Sequence, residues 1–450
     1  MSLSARLGQF VAELEVDRLP PEVLQKARNC VLNGYGIALG CHTTPYAPVA
    51  RRAALAMDGE LPEGATLLGD GRRTTIAGAM LANAALFHGR AQEDTCGAGH
   101  FGTIVLPLLT AMLEVHRLPM DRFLPALIAG YEAGGLLENA YSPCTTPSGL
   151  RASPLYGIVA AAAAASRLLA LDERQTAAAL GNAASFAGGI LQSFEDGTDE
   201  WRYQVGVAGR LGYVAAQLAA AGSVSAPHAF EGRAGFVPVF ARTACDVEAL
   251  AARLGRDWSI HRVTFKPYPV CAFNQTPVIA ALKLRERIGG RIVERLRVRM
   301  NPFETGYAGM DATGPFSSLS GTLMSIPFCI ANTLCNGTPT VRNMTTYDDP
   351  AVNALVERIE LVPDESVARL CCGIDATLAD GEALSEEQRM TASDYSYDWR
   401  TVSGLVRRVG AETDVPGEAF DRIEAFAADP AAARIADVVA CFGLPPSAPN

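Results

Sequence analysis

At 450 residues, 49% apolar and 19% charged, the chain is long enough for two domains and has a globular composition, far from that of a disordered protein. A formal charge of -10 argues against a nucleic-acid or anionic-membrane partner, which would need clustered Lys and Arg; an anionic substrate would have to be held by a local positive island. Eleven cysteines without CxxC spacing signal neither a zinc ribbon nor a disulfide framework, so reduced thiols in a cytoplasmic setting are expected.

The opening MSLSARLGQFVAELEV places Leu3, Leu7, Phe10, Val11 and Leu14 on one helical face without the unbroken apolar core of a signal peptide, and reads as a first helix. Pro20 and Pro21 open a second, in which Val23, Leu24, Ala27, Val31 and Tyr35 recur near a 3.6 period and Gly40 supplies the stop. The same periodicity predicts helices at 74–90, 104–116, 121–139, 154–170, 173–186 and 203–221. Their Ala and Gly content lets helices approach closely. The longest apolar run, 158–165, is mostly alanine and far short of the ~20 residues that span a bilayer, so no membrane segment is expected.

After about residue 262 the texture changes. Leu296, Val298 and Met300 alternate with Arg297 and Arg299, and Ile359 and Leu361 flank Glu360, the period of two of half-exposed strands. Stretches 275–289 and 318–335 read as helices between them, and 399–410, 417–428 and 431–443 return to helical periodicity. The expected fold is mainly α with a smaller α+β domain. A large all-helical domain is formed by both chain ends, 1–261 plus 396–450, and 262–395 is an inserted α+β unit with a ligand cleft where the chain crosses.

Among the six histidines, His42, His88, His116, His228 and His261 have no polar constellation nearby in sequence and read as structural or surface residues. His100 closes Gln92-Glu93-Asp94-Thr95-Cys96-Gly97-Ala98-Gly99-His100, a polar, glycine-containing loop between apolar helical runs, where function is more often carried than packing; a helix-capping loop is the plainer alternative. Lys266 lies in VTFKPYPVC at 263–271, where two prolines stiffen the backbone. Beside Phe265 and Tyr268 it would be partly desolvated, which favours the neutral amine and makes it a usable base; the plainer alternative is a surface lysine on a rigid linker. The stretch from Asp196 through Gly206, Gly209 and Gly212 has GxxG spacings but no Walker lysine and no preceding strand, so it reads as a tight helix contact. Arg151 and Arg202 have the chemistry for bidentate pairing with a substrate carboxylate, or for ordinary salt bridges. There is no His-Glu-x-x-His, no EF-hand loop and no phosphate-binding glycine motif, and Ser193 lacks the glycines of a nucleophile elbow, so metal and nucleotide chemistry both lose support.

Taken together, these pieces resemble the MmgE/PrpD family from about residue 5 to 440. The resemblance is carried by Asp94-Thr95 with His100 and Val105-Leu106-Pro107, by Lys266-Pro267-Tyr268-Pro269, and by Gly206, Gly212, Ala215, Ala216 and Leu218 leading to Glu231-Gly232 and Gly235-Phe236. It implies an all-helical domain under an α+β lid, a homodimer without cofactors, and proton removal next to a carboxylate of a small di- or tricarboxylic acid. The reaction types it brings are those of 2-methylcitrate dehydratase, cis-aconitate decarboxylase and iminodisuccinate epimerase; a member that merely binds an organic acid is a further alternative. It implies His100 and Lys266 as the acid–base pair, with Asp94, Thr95, Arg151, Trp201, Arg202, Tyr268 and Gln275 around the substrate. The sequence departs from the family pattern at four site positions: Ala91 stands where members usually carry Asp, Arg151 where they carry His, Trp201 where they carry Lys and Gln275 where they carry His. The family's Pro-Lys-Gly-Asp-Pro stretch is also missing around 385–395. His100 and Lys266 are therefore expected to meet across one crevice, within about 10 Å of each other, since proton transfer works at contact range or through one water.

Overall fold

The computed structural model describes residues 1–443. Its first half is a succession of helices: α1 Leu3–Ala12, α2 Pro21–Leu39, α3 Tyr46–Asp58, α4 Ile76–Phe87, α5 Gly102–His116, α6 Phe123–Thr145, α7 Ala152–Leu168, α8 Glu173–Phe186, the one-turn α9 Gln192–Glu195 and α10 Glu200–Ala220. Each expected helix of this region is present within a few residues of its predicted ends. Capping accounts for several starts: Ser2, Thr75 and Asp172 accept from backbone N–H groups of the first turns of α1, α4 and α8, and Pro21 opens α2 where a missing donor costs nothing.

Eight strands follow in chain order. β1 Ala65–Thr66 pairs with β2 Arg73–Thr74, and β3 Thr95–Cys96 with β4 Val263–Thr264. β5 Val293–Met300, β6 Ile359–Pro363, β7 Cys371–Leu378 and β8 Ala383–Arg389 form one sheet in the order β6-β5-β7-β8, with β5 and β6 parallel and the other pairs antiparallel. The predicted alternation is visible in β5, where Leu296, Val298 and Met300 are buried while Arg295 and Arg297 are exposed. The helix Gln275–Ile288 packs between this sheet and the helix Ile326–Asn336 and buries Val278, Ala281 and Leu284.

Two expectations need correction. The helix predicted over 318–335 is two, Leu319–Met324 and Ile326–Asn336, because Pro327 has no N–H to continue the first and Ser325 instead caps the second, accepting from Phe328 N at 3.0 Å. The stretch 431–443 contains only Ile435–Val439 and a following 3-10 turn.

The fold is thus mainly helical with one small sheet-bearing region, and its apolar residues gather into two cores. The first draws on residues from Leu3 to Phe265 and again from Val402 to Phe442; the helices Trp399–Glu412 and Gly417–Ala428 lie on α2. The second runs from Val270 to Leu378 and also takes in Tyr46, Ala91, Leu191, Phe194 and Trp201. Residues 266–269 are where the chain passes from one core to the other. No helix among the described residues is long and apolar enough to cross a membrane.

The glycines of α10 do what a tight helix contact requires. A Cβ on Gly206 would stand 2.7 Å from the Leu81 carbonyl oxygen, and one on Gly212 would stand 2.4 Å from the Ala161 Cβ. Gly206→Ala is therefore expected to lower stability in chemical denaturation by about 1–3 kcal/mol, the usual cost of overpacking. Gly404→Ala, on an open helix face with nothing within 4 Å, is expected to raise it by about 0.5–1 kcal/mol.

Candidate active site

A two-residue ribbon builds the site. β3 and β4 pair Thr95 with Thr264 and Cys96 with Val263, and the two threonine hydroxyls share a 2.7 Å hydrogen bond. Glu93 lies two residues before Thr95 and Lys266 two residues beyond Thr264, so the same antiparallel register carried outward sets these side chains opposite each other on one face. Lys266 Nζ donates to Glu93 Oε1 at 2.9 Å, and both residues are almost wholly buried, at 3% and 2% exposure. The segment is held from both sides. Gln92 Nε2 donates to the Pro267 carbonyl at 2.9 Å, while Gln275 accepts from Tyr268 N and donates to the carbonyls of Tyr268, Val270 and Cys271.

Two imidazoles share the same carboxylate oxygen. Nδ1 of His100 and Nδ1 of His88 each lie 3.1 Å from Glu93 Oε1, and the rings are 5.2 Å apart. His100 Nδ1 also lies 3.1 Å from the Asp94 backbone carbonyl, which only accepts, so Nδ1 carries the hydrogen and Nε2 keeps its lone pair. His88 Nε2 accepts from Arg151 Nη2 at 2.7 Å, which likewise puts its hydrogen on Nδ1, toward Glu93. Burial would raise the Glu93 carboxyl, but Lys266 and the two imidazoles hold it well below the usual range. Burial pushes His88 down to about 4, and burial together with the Lys266 charge puts His100 well below its ordinary value. The cluster is therefore a buried carboxylate–ammonium pair flanked by two neutral imidazoles.

The pair opens on a cavity of about 450 Å³. Thr95, His100, Trp201, Lys266 and Gln275 are in its wall, with Ala91 and Glu93 beside them and Cys271, Phe273, Glu304, Tyr307, Arg369 and Tyr395 contributed by the region after β4. Four expected substrate neighbours are not in that wall. Asp94, one residue along the chain from Glu93, faces the opposite way. Its carboxylate accepts from the Tyr131 hydroxyl within the helical core, where burial pushes it up to about 6. Arg151 is committed to His88, the Trp201 carbonyl and Gln204; burial brings it down to about 10. Arg202 is buried over Tyr46 and Trp201 and bonded to Ser320 and Asp199. Tyr268 lies outside because its backbone, fastened to Gln275, is the part used.

Glu93 and His88 are the residues that the sequence reading passed over. His88, expected as structural or surface, is wholly buried against His100 and Trp201. Strand alternation outward from Thr95 would have selected Glu93 over Asp94 had the pairing of β3 been known. Ala91 brings no carboxylate to the cavity wall, and Glu93 supplies one two residues on. Among the described residues no group of three His, Cys, Asp or Glu is arranged to hold a metal ion.

Comparison with known proteins finds one family over most of the chain. The model of the MmgE/PrpD N-terminal domain matches residues 5–246 and that of the C-terminal domain residues 268–393. A cis-aconitate decarboxylase-like protein of Aspergillus oryzae is 31% identical over 283 residues, which is 59% of this chain and 58% of that protein, so the match spans less than two thirds of that relative. The cis-aconitate decarboxylase of Aspergillus terreus is 24% identical over 77% of this chain and 74% of its own length, and that of Homo sapiens 25% identical over 91% of each.

Removing one member of the Glu93–Lys266 pair leaves the other charge buried alone. Glu93→Gln and Lys266→Met are each expected to cost about 3–5 kcal/mol in urea unfolding, and the double variant much less than their sum. Additive losses in that double-mutant cycle would mean that the pair is not coupled.

Proposed function

The chain belongs to the MmgE/PrpD family, and we propose that it is a lyase-type enzyme that moves a proton at the carbon next to a carboxylate of a small di- or tricarboxylic acid. No metal or organic cofactor takes part in this reading. What carries it is the gathering of His100 and Lys266 within 3.1 Å of one Glu93 oxygen in a cavity wall, well inside the range proton transfer demands. His100, with its Nδ1 hydrogen turned to the Asp94 carbonyl, offers the Nε2 lone pair as base. The Lys266 ammonium, kept in place by Glu93, neutralises the charge that develops on the substrate carboxylate and can return a proton. Arg151 and His88 position Glu93 from behind.

Two outcomes use this machinery. In dehydration His100 takes the proton, the C–H electrons form the new double bond, and hydroxide leaves with a proton from the acid partner. In decarboxylation the C–CO2 bond supplies the electron pair, carbon dioxide leaves, and Lys266 protonates the carbon that keeps the pair. Because both groups rest on a single carboxylate oxygen, they reach the substrate from one side, which suits these eliminations better than a two-base epimerisation of the iminodisuccinate type. The relatives named cis-aconitate decarboxylase make cis-aconitate the first substrate to try. In the same reading 262–395 acts as a lid over the helical domain of 1–261 and 396–450, and the enzyme works as a cytoplasmic homodimer.

Wild-type protein incubated with cis-aconitate, and with a panel of di- and tricarboxylates in deuterium oxide, is expected to release carbon dioxide or water and to place deuterium on the product. His100→Gln, and the charge-balanced Glu93→Gln/Lys266→Met double variant, are expected to lose about 10²–10⁴-fold in rate, the span of a general acid–base contribution. Undiminished exchange in both would reject these roles, and calorimetric binding by the wild type without turnover would leave an organic-acid binder.

A further inference from the structure

The sheet-bearing side of the cavity carries a second buried carboxyl. β5 ends at Met300, and the next residue, Asn301, caps the one-turn helix Pro302–Thr305 by accepting from Phe303 N at 3.0 Å. Asn301 also donates to the Val367 carbonyl at 2.8 Å, so Glu304 is fixed by a core strand behind it and by the 364–371 loop beside it. Glu304 is wholly buried. Glu304 is one of the residues lining the cavity; its Oε1 accepts from Leu370 N at 2.8 Å, and its buried Oε2 has no partner.

An ionised carboxylate with one oxygen buried and orphaned is costly, and no cation lies at salt-bridge distance to offset it among the described residues. Arg369 is the nearest opposing charge, and its guanidinium stacks over Phe303 at 3.6 Å. The other titratable neighbours are the Cys271 and Cys372 thiols and, three residues on, the Tyr307 phenol. Burial raises all three, Cys271 to about 11, so they stay neutral across pH 7–9. Burial likewise pushes Glu304 up to about 7, against the smaller opposing effects of Leu370 N and Arg369. Glu93 and Glu304 thus line one cavity in different states, the first held ionised by Lys266 and the second poised between acid and carboxylate near neutral pH.

A neutral carboxyl has a hydrogen to give, and the fold provides no acceptor for it at Oε2. We propose that Glu304 is a substrate-binding residue that donates the O–H on its orphaned oxygen to a carboxylate of the bound acid, so that binding of a polycarboxylate and protonation of Glu304 are coupled. This rests on reading the cavity as a polycarboxylate site. Donor and acceptor there form a charge-assisted hydrogen bond; once Glu304 ionises, two carboxylates face each other and repel.

The test is calorimetric titration with tricarballylate, a saturated tricarboxylate, in buffers of different ionisation enthalpy between pH 6.5 and 9. Wild-type protein is expected to take up close to one proton per ligand at pH 8, and Kd to rise about tenfold per pH unit above that. Glu304→Gln keeps a group that can accept from Leu370 N and an N–H that can donate to the ligand. It is expected to bind within about threefold of wild type at pH 6.5, by the usual margin for exchanging one hydrogen-bond donor for another, with no Glu304-linked proton uptake and a flat pH dependence. An E304Q variant with the wild-type proton count and slope would overturn the assignment while leaving the cavity as an acid site. Wild-type protein that binds neither tricarballylate nor cis-aconitate at any pH would overturn the polycarboxylate reading and this inference with it. Should E304Q melt early, the wild-type count decides alone, and zero uptake at pH 8 overturns the proposal.

Discussion

The buried ion pair between Glu93 and Lys266 is the constraint on which the rest of the site depends. Two charges removed from water are tolerated only when they satisfy each other at close range, and a 2.9 Å contact between nearly unexposed groups meets that condition. The pair then determines what its neighbours can be. An ammonium beside His100 disfavours a second positive charge there, and burial does the same for His88, so both imidazoles stay neutral and each has a defined tautomer. A base is available on His100 because its hydrogen is already directed at the Asp94 carbonyl.

The pair owes its existence to a short piece of antiparallel sheet inside a helical protein. Thr95 and Thr264 are brought together across 169 positions of chain, and their alignment fixes the register for the residues on either side. The stiffness of Lys266-Pro267-Tyr268-Pro269 and the four hydrogen bonds from Gln275 keep that register from slipping at the point where the chain leaves one apolar core and enters the other. On the helical side, small residues do comparable work: Gly206 and Gly212 let α10 lie directly on the backbone of α4 and α7, which seats Trp201, at the start of the same helix, in the cavity wall.

Environment, not residue type, separates three buried carboxyls. Glu93 has a cation and two imidazoles at one oxygen, Asp94 has a tyrosine hydroxyl in an apolar core, and Glu304 has one backbone N–H and an orphaned oxygen. The first is driven to the charged form and the other two are pushed toward the neutral one, although all three are buried. Arg151 reaches the network through His88, Trp201 adds an apolar wall beside that imidazole, and Gln275 clamps the backbone.

By itself the sequence determined the helices of the first 220 residues, the strand alternation of β5, the change of texture after residue 262, and the singling out of His100 and Lys266. These are signals of local periodicity and of rigid or polar segments, and they survive whatever the chain later packs against. Only the tertiary structure decided that Glu93 and not Asp94 faces the cavity, that His88 joins the cluster, that Arg151 and Arg202 are spent on the protein's own groups, and that Glu304 lies in the wall. The reason is physical. Glu93 and Lys266 are separated by 173 positions, and which of two adjacent acids points inward depends on a strand register that no local pattern encodes.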